Sequence, residues 1–228
     1  MSNILPNITL EVGQSPQHSI IWLHGLGADG EDFVPIAEEM HLPVAVRYIF
    51  PHAPEQPVTI NSGFVMRAWY DIAAADITAQ QDSVGIRASQ TAIEKLMAQE
   101  IQRGIAAKNI YLAGFSQGGA MALHTGLRYP SQLGGIIALS CYLPLAETLA
   151  REAQAASMLT PIFMAHGRND PIVPYARGQA SADALRKQEY QLEWREYSMP
   201  HSVCMEEVKD VETWLTRRLN TGTTNSNF

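Results

Sequence analysis

The sequence predicts an α/β fold in which helices cover both faces of a mostly parallel central sheet. Apolar segments of strand length alternate with segments of helical periodicity along most of the 228 residues. This alternation is typical of parallel sheets. Polar motifs directly follow several of the predicted strands, where the chemistry of such sheets is found. The chain contains no internal repeat or interdomain linker, so residues 1–220 are expected to form one domain and 221–228 a flexible tail.

The strands are predicted from short apolar runs bounded by glycine, proline or polar residues. In chain order they are His18–Leu23, Val44–Phe50, Ile110–Ala113, Gly135–Ser140, Pro161–His166 and Leu192–Tyr197.

The helices are predicted from apolar residues that recur at helical spacing. They are Asp32–Met40, Asp82–Arg103, Ala120–Leu127, Leu145–Met158, Tyr175–Lys187 and a last helix that begins near Ser202. Residues 51–80 show neither period and are expected to be irregular.

Composition argues against several classes of partner. The net charge is −7 and no basic run is present, which disfavours nucleic acid and anionic membranes. No apolar stretch could span a membrane, and the first residues lack a signal peptide, while Ser2 rules out myristoylation. Cys141 and Cys204 are too few for a disulfide framework and are interpreted as buried structural thiols. A cytoplasmic protein is expected.

The segment Gly114–Gly119, with the sequence GFSQGG, indicates a nucleophile elbow. A predicted strand precedes it and a predicted helix follows it, which is the context that the G-x-S-x-G pattern requires. Because the five-residue pattern also arises by chance, Ser116 needs partners elsewhere in the chain.

Two later strands supply those partners. A serine nucleophile needs a histidine base and an acid that orients the histidine, and in hydrolases of this kind both follow the serine. Asp170 lies just after the strand ending at His166, and His201 lies just after the strand ending at Tyr197. We therefore predict Ser116, Asp170 and His201 as the catalytic residues.

His166 is the main alternative base, because it also ends a strand, although a histidine there more often makes a structural hydrogen bond. Asp71 precedes the serine and Asp183 lies within a predicted helix, so both are weaker candidates for the acid.

The oxyanion needs two backbone donors. The N–H of Gln117, directly after the nucleophile, is one candidate. The N–H of Leu26 is the other, because the flanking Gly25 and Gly27 allow the loop after the first predicted strand to turn.

The same loop, Gly25–Gly30, also spells the G-x-G-x-x-G of dinucleotide-binding folds. Such folds place a carboxylate at the end of the second strand to bind the ribose. Tyr48–Pro51 contains no acidic residue there, so nucleotide binding is not favoured.

Apolar residues near strand ends are candidates for an acyl pocket, although core packing is the commoner fate of such residues. The candidates are Trp69, Ile72, Leu143 and Val173.

Taken together, these motifs resemble the carboxylesterase and acyl-protein thioesterase family of α/β-hydrolases. The resemblance extends from Leu23 to His201 and rests on six features in fixed order: LHGLG at 23–27, AP at 53–54, WYD at 69–71, GFSQGG at 114–119, GRNDPIVP at 167–174 and the isolated His201.

The resemblance implies a serine hydrolase for carboxylic esters and thioesters, with the catalytic residues named above and an oxyanion hole formed by Leu26 and Gln117. The mechanism needs no metal or cofactor, and the connection from Ser140 to Thr160 is too short for a large lid. The loop variant Ala28–Gly30 is closer to bacterial members of the family. Animal thioesterases carry an acylated cysteine near the N-terminus, and this chain has Ser2 in that region.

Substrates are expected to be small esters or acylated molecules, and a homodimer is compatible with the sequence. A lysophospholipase or a peptidase on the same three residues remains an alternative. A binding protein without catalysis is disfavoured because no catalytic element is missing.

Overall fold

The computed structural model describes residues 4–74 and 81–220. Its strands are β1 (Asn7–Val12), β2 (His18–Leu23), β3 (Val46–Pro51), β4 (Glu55–Val58), β5 (Phe64–Arg67), β6 (Ile110–Phe115), β7 (Gly135–Leu139), β8 (Ile162–Gly167) and β9 (Leu192–Tyr197). Its α-helices are α1 (Val34–Glu39), α2 (Ser83–Gln102), α3 (Gln117–Arg128), α4 (Ala146–Glu152), α5 (Tyr175–Lys187) and α6 (Met205–Asn220). The tail for which flexibility is predicted lies outside the described residues.

Seven strands form the main sheet in the order β1-β3-β2-β6-β7-β8-β9. All neighbours pair in parallel except β1, which runs antiparallel to β3. The α/β fold with a mostly parallel sheet is therefore confirmed. The strand β1 was not predicted, although Ile8, Leu10 and Val12 alternate with polar residues in the pattern of a half-buried strand; the prediction rested on continuous apolar runs, which β1 lacks.

Helices cover both faces of the sheet, as the side chains of β2 illustrate. Ile20 and Trp22 point into a core that includes residues of α1 and α6, whereas Ile21 and Leu23 point into a core with residues of α2, α3 and α5. Because successive side chains of a strand alternate between faces, a strand buried on both sides reads as a continuous apolar run.

Residues 51–80 were expected to be irregular, and this prediction is wrong for one part of the segment. Strands β4 and β5 form an antiparallel hairpin separate from the main sheet. The hairpin escaped prediction because it buries little of itself: Phe64 and Val65 are exposed, so no apolar alternation marks a core-facing side. Residues 75–80 of the segment lie outside the described part of the chain.

Helix α4 ends six residues earlier than the predicted Met158. The hydroxyl of Ser157 donates to the carbonyl oxygens of Leu127 and Gln154, at 2.6 and 2.8 Å. Such local side-chain bonds compete with a regular helix, and a short 3₁₀ turn, Ser157–Leu159, replaces it. Between β7 and β8 the described chain therefore contains no large lid.

The carboxyl ends of β2, β6, β8 and β9 open towards one edge of the sheet, because these strands run parallel. Leu26, Ser116, Asp170 and His201 follow these four ends in turn. The fold therefore brings the loops that carry these residues to one region.

Candidate active site

Ser116 occupies a strained turn between β6 and α3. Its backbone has φ 55° and ψ −121°, a conformation that L-residues rarely adopt and that costs about 1–3 kcal/mol. A side chain at Gly118 would overlap the carbonyl oxygens of Leu23 and His24. Gly118, two positions after the serine, is therefore required for the close approach of α3 to the end of β2.

His201 connects the serine to a carboxylate. Its Nε2 lies 2.9 Å from the Oγ of Ser116, and its Nδ1 lies 2.7 Å from Oδ2 of Asp170. Because a carboxylate only accepts hydrogen bonds, Nδ1 of His201 carries the proton, and Nε2 presents its lone pair to the serine hydroxyl. The arrangement is that of a nucleophile, a base and an orienting acid.

Asp170 is held so that only one of its oxygens is available to His201. Its other oxygen, Oδ1, accepts hydrogen bonds from the backbone N–H groups of Ile172 and Val173, at 2.8 and 2.9 Å. Its side chain is fully buried. These bonds fix the carboxylate plane and thereby the orientation of the histidine ring.

His166, the alternative base, lies on the other side of Asp170. Its Nε2 donates to the carbonyl oxygen of Val173 at 2.8 Å and lies 3.4 Å from Oδ2 of Asp170. Burial lowers the pKa of His166 and favours its neutral form, and no hydrogen bond joins His166 to Ser116 among the described residues. Of the two histidines, only His201 contacts the serine.

Two hydrogen bonds of the His24 ring fix the loop after β2. Its Nδ1–H donates to the carbonyl of Gly25 at 2.7 Å, and its Nε2 accepts from the N–H of Ala53 at 3.0 Å. Burial lowers the pKa of His24 and keeps this neutral form. Within the described residues the N–H of Leu26 makes no hydrogen bond, so it is free to donate to a ligand.

The N–H of Gln117 is equally free of a helical partner, because Gln117 is the first residue of α3. The positive end of the helix dipole lies at this position and favours a developing negative charge.

The side chain of Gln117, to which no role was assigned from the sequence, bridges to the segment before α2. Its Oε1 accepts from the N–H of Trp69 at 2.8 Å, and its Nε2 donates to the carbonyl of Tyr70 at 2.8 Å. The indole of Trp69 donates to the carbonyl of His24 at 2.9 Å. Trp69 therefore joins the two loops that carry Leu26 and Gln117.

A cavity of about 260 Å³ opens beside the serine. It is lined mainly by apolar and aromatic side chains, with Ser116, Gln117, His201 and Asp32 as the polar members; the others are Gly25, Leu26, Ala28, Tyr70, Ile72, Phe115, Tyr142, Ile172 and Val173.

Two of the four predicted pocket residues, Ile72 and Val173, line this cavity. The other two, Trp69 and Leu143, do not, and this corrects the prediction. Their chain neighbours Tyr70 and Tyr142 line the cavity instead. Tyr70 belongs to the WYD motif of the sequence, whereas nothing in the sequence indicated Tyr142.

The described residues contain no candidate metal site. Among residues 4–74 and 81–220, no group of three or more His, Cys, Asp or Glu side chains could hold an ion. Cys141 is buried, which raises the pKa of its thiol, and Cys204 is partly exposed; neither forms a disulfide. None of the helices in this part of the chain is both long and apolar enough to cross a membrane.

Comparison with known proteins agrees with the geometry. A model of the family described as phospholipase/carboxylesterase matches residues 7–219. Acyl-protein thioesterase 1 of Neurospora crassa is 41% identical over 88% of this chain and 86% of its own length. The corresponding protein of Gibberella zeae is 40% identical over 89% and 92%. The crystal structure of Arabidopsis thaliana SOBER1 has a TM-score of 0.84 and 33% identity, over 89% of this chain and 99% of that one.

These relatives are fungal and plant proteins, and they give no support to the bacterial affinity that the first loop suggested. The motifs between Leu23 and His201, by contrast, lie entirely within the matched range. The chain belongs to the phospholipase/carboxylesterase family of hydrolases.

Proposed function

We propose that the chain hydrolyses carboxylic esters and thioesters through an acyl intermediate on Ser116. The observation that carries this proposal is the unbroken hydrogen-bond path from Ser116 through His201 to Asp170, with distances of 2.9 and 2.7 Å. The family membership and the thioesterase names of its relatives support the same reaction class.

In the first half-reaction, Nε2 of His201 takes the proton of the Ser116 hydroxyl while Oγ attacks the substrate carbonyl carbon. The carbonyl oxygen becomes an oxyanion, and the N–H groups of Leu26 and Gln117 donate to it. The proton on Nε2 then passes to the leaving alcohol or thiol, and the acyl group stays on Oγ.

In the second half-reaction a water molecule takes the place of the leaving group. His201 accepts a proton from this water as it attacks the acyl carbon, and then returns the proton to Oγ of Ser116. The carboxylate of Asp170 stabilises the imidazolium form of His201 in both steps. The products are a carboxylic acid and the free enzyme.

Esters and thioesters share the acyl half of the substrate, and the apolar lining of the cavity suits that half. Ile72, Ile172 and Val173 contribute aliphatic surface beside the serine. A volume of about 260 Å³ lies just below the range of about 300–1,000 Å³ that is usual for ligand sites. We therefore expect short acyl groups to be accepted more readily than long ones.

The test compares three single variants against matched esters and thioesters. Ser116→Ala should abolish turnover and labelling by a fluorophosphonate, whereas Ser131→Ala, at an exposed serine, should retain both. His201→Ala should lower kcat by about 10⁴-fold or more, as loss of a triad member does. Labelling that persists in Ser116→Ala, or full turnover in His201→Ala, would refute the mechanism.

Lysophospholipid or peptide hydrolysis is the second candidate, because the family description includes phospholipases. The same purified protein, assayed on a lysophospholipid and on a peptide amide beside the esters, ranks these activities by kcat/KM. A protein that neither hydrolyses an activated ester nor is labelled by a fluorophosphonate would be a binding protein.

We propose a cytoplasmic location because Cys141 and Cys204 are free thiols, and a reducing compartment keeps thiols in that state. Fractionation of the native host tests it. The homodimer that the sequence permits stays a prediction, and size-exclusion chromatography with light scattering measures it.

A further inference from the structure

Two residues that line the cavity, Tyr70 and Tyr142, form a hydroxyl pair that the proposed mechanism does not use. Their phenolic oxygens lie 2.9 Å apart and are buried. The two residues are 72 positions apart in the chain, and both line the cavity beside Ser116. Phenylalanine at both positions would give an apolar wall of similar shape.

The pair has more hydrogen-bonding capacity than its own contact uses. Two phenols carry two hydroxyl protons, and the bond between them uses one. Neither oxygen has a further partner among the described residues. A buried donor without an acceptor costs about 1–3 kcal/mol, and such a group in a native protein calls for an explanation.

Both tyrosines remain donors over the working pH range. Burial raises the pKa of Tyr142 to about 12, and it raises the pKa of Tyr70 well above the usual value of a phenol. The hydroxyl groups are therefore neutral, and the spare proton is always available.

Hydrogen bonds also fix the backbone around each tyrosine. The carbonyl of Tyr70 accepts from Nε2 of Gln117 at 2.8 Å. The loop of Tyr142 is fixed by a bond from the N–H of Leu143 to Oγ of Ser181, at 2.9 Å, and by a bond from Arg128 to the carbonyl of Leu145, at 3.1 Å. A polar group on a braced backbone is preorganised to bind without a large loss of entropy.

We propose that the Tyr70–Tyr142 hydroxyl pair is a polar subsite of the acyl pocket, which donates a hydrogen bond to an oxygen atom in the acyl chain of the substrate. The favoured acyl groups are then short chains with a hydroxy, keto or ether oxygen beyond the reacting carbonyl. This inference rests on the proposed acyl transfer to Ser116. An unsubstituted alkyl chain leaves the spare proton without an acceptor.

The test uses p-nitrophenyl hexanoate and three analogues in which an oxygen replaces the methylene group at position 3, 4 or 5. Each analogue has nearly the same shape as the parent, and hydroxide-catalysed hydrolysis of the four esters corrects for their intrinsic reactivity. After this correction, the wild type should hydrolyse at least one analogue with a kcat/KM about 10-fold above that of the parent, the worth of one hydrogen bond.

The double variant Tyr70→Phe/Tyr142→Phe should lose this preference, so that kcat/KM for every analogue falls to the value for the hexanoate or below it. Tyr129→Phe is the matched control and should keep the preference, because Tyr129 lies beyond the far end of α3. If the double variant does not fold, Tyr142→Phe alone replaces it and should reduce the preference, because the bond that orients the remaining hydroxyl is lost.

Two results would overturn the inference. One is a wild type that favours the hexanoate over every analogue, and the other is a preference that survives in the folded variant lacking the hydroxyl groups. Neither result touches the proposed function, which is tested separately by the turnover and fluorophosphonate labelling of the wild type and of the Ser116→Ala and His201→Ala variants.

Discussion

Gln117 and Trp69 are joined by a hydrogen bond of 2.8 Å from the backbone N–H of Trp69 to the side-chain Oε1 of Gln117. The same amide donates through Nε2 to the carbonyl of Tyr70. The residue that follows the nucleophile thus holds the segment that forms one wall of the cavity. This relationship makes an amide, and not only a backbone N–H, important at position 117.

The first prediction follows from that amide. Gln117→Glu keeps the size of the side chain, but a carboxylate cannot donate to the carbonyl of Tyr70, and the two oxygens repel each other. We expect kcat/KM to fall about 10–100-fold, because small misplacements near the reacting atoms have effects of this size. Steady-state kinetics with one activated ester measure the change. Gln102→Glu at the exposed end of α2 is the control, and equal activity of the two variants would contradict the prediction.

The second prediction concerns the strain at Ser116. Its φ of 55° is easily adopted by glycine but not by alanine. Ser116→Gly should therefore be more stable than Ser116→Ala by about 1–2 kcal/mol, which raises Tm by about 2–4 °C for each kcal/mol in a chain of this size. Thermal unfolding of the two inactive variants measures the difference. A Ser116→Ala variant that melts at or above the temperature of Ser116→Gly would show that the turn is unstrained.

The third prediction concerns the pH dependence of stability. Burial raises the pKa of Glu207 to about 8, whereas a glutamate of the unfolded chain titrates near pH 4.3. The folded state therefore retains a proton that the unfolded state has lost, and stability falls as the pH rises through this window. Between pH 6.5 and 8 the loss should be about 1–2 kcal/mol.

Glu207→Gln should remove most of this loss, because the amide resembles the protonated acid and does not titrate. Urea unfolding at pH 6.5 and 8.0 gives the two free energies for each protein. Glu206→Gln, at the exposed neighbouring position, should behave like the wild type. The prediction fails if the Glu207→Gln variant loses as much stability over this range as the wild type does.

Buried histidines lower the stability of the folded state as the pH falls, whereas Glu207 lowers it as the pH rises. Burial lowers the pKa of His24 and His166, and it lowers the pKa of His124 to about 3. The unfolded chain binds protons at these residues below about pH 6.5, while the folded chain does not. Stability should therefore fall as the pH drops from 6.5 towards 5, and urea midpoints across this range should decrease. A flat profile would contradict the neutral state of these rings.

The fourth prediction concerns the ion pair between Arg128 and Glu152, whose Nε and Oε2 atoms lie 2.8 Å apart. Arg128 is buried and also binds the carbonyl of Leu145 in the Tyr142 loop. Glu152→Gln leaves this cation without its counter-charge, and we expect a loss of about 2–3 kcal/mol of stability, somewhat below the usual range for breaking buried pairs because polar partners remain. Chemical denaturation beside the exposed Glu147→Gln control measures it. A loss no greater than that of the control would contradict the prediction.

Most strands of the main sheet could be predicted from the sequence alone. Strands β2 and β9 and helix α5 have their predicted bounds, because buried strands and amphipathic helices leave periodic apolar patterns that depend only on local spacing. The GFSQGG segment and the polar residues after β8 and β9 indicated which loops carry Ser116, Asp170 and His201. The rule that parallel strands present their carboxyl ends at one edge requires no coordinates.

Tertiary structure decided which side chains meet. The bond between Gln117 and Trp69 spans 48 positions, and the contact between Tyr70 and Tyr142 spans 72; no local period encodes such pairs. The hairpin of β4 and β5 escaped prediction because it carries little apolar pattern, and β1 escaped because its apolar residues alternate with polar ones and form no continuous run. The pocket lining depended on the direction of side chains in segments without regular structure, where the sequence carries no period. Periodicity therefore determined the scaffold, whereas packing between distant segments determined the cavity in which the acyl group is proposed to bind.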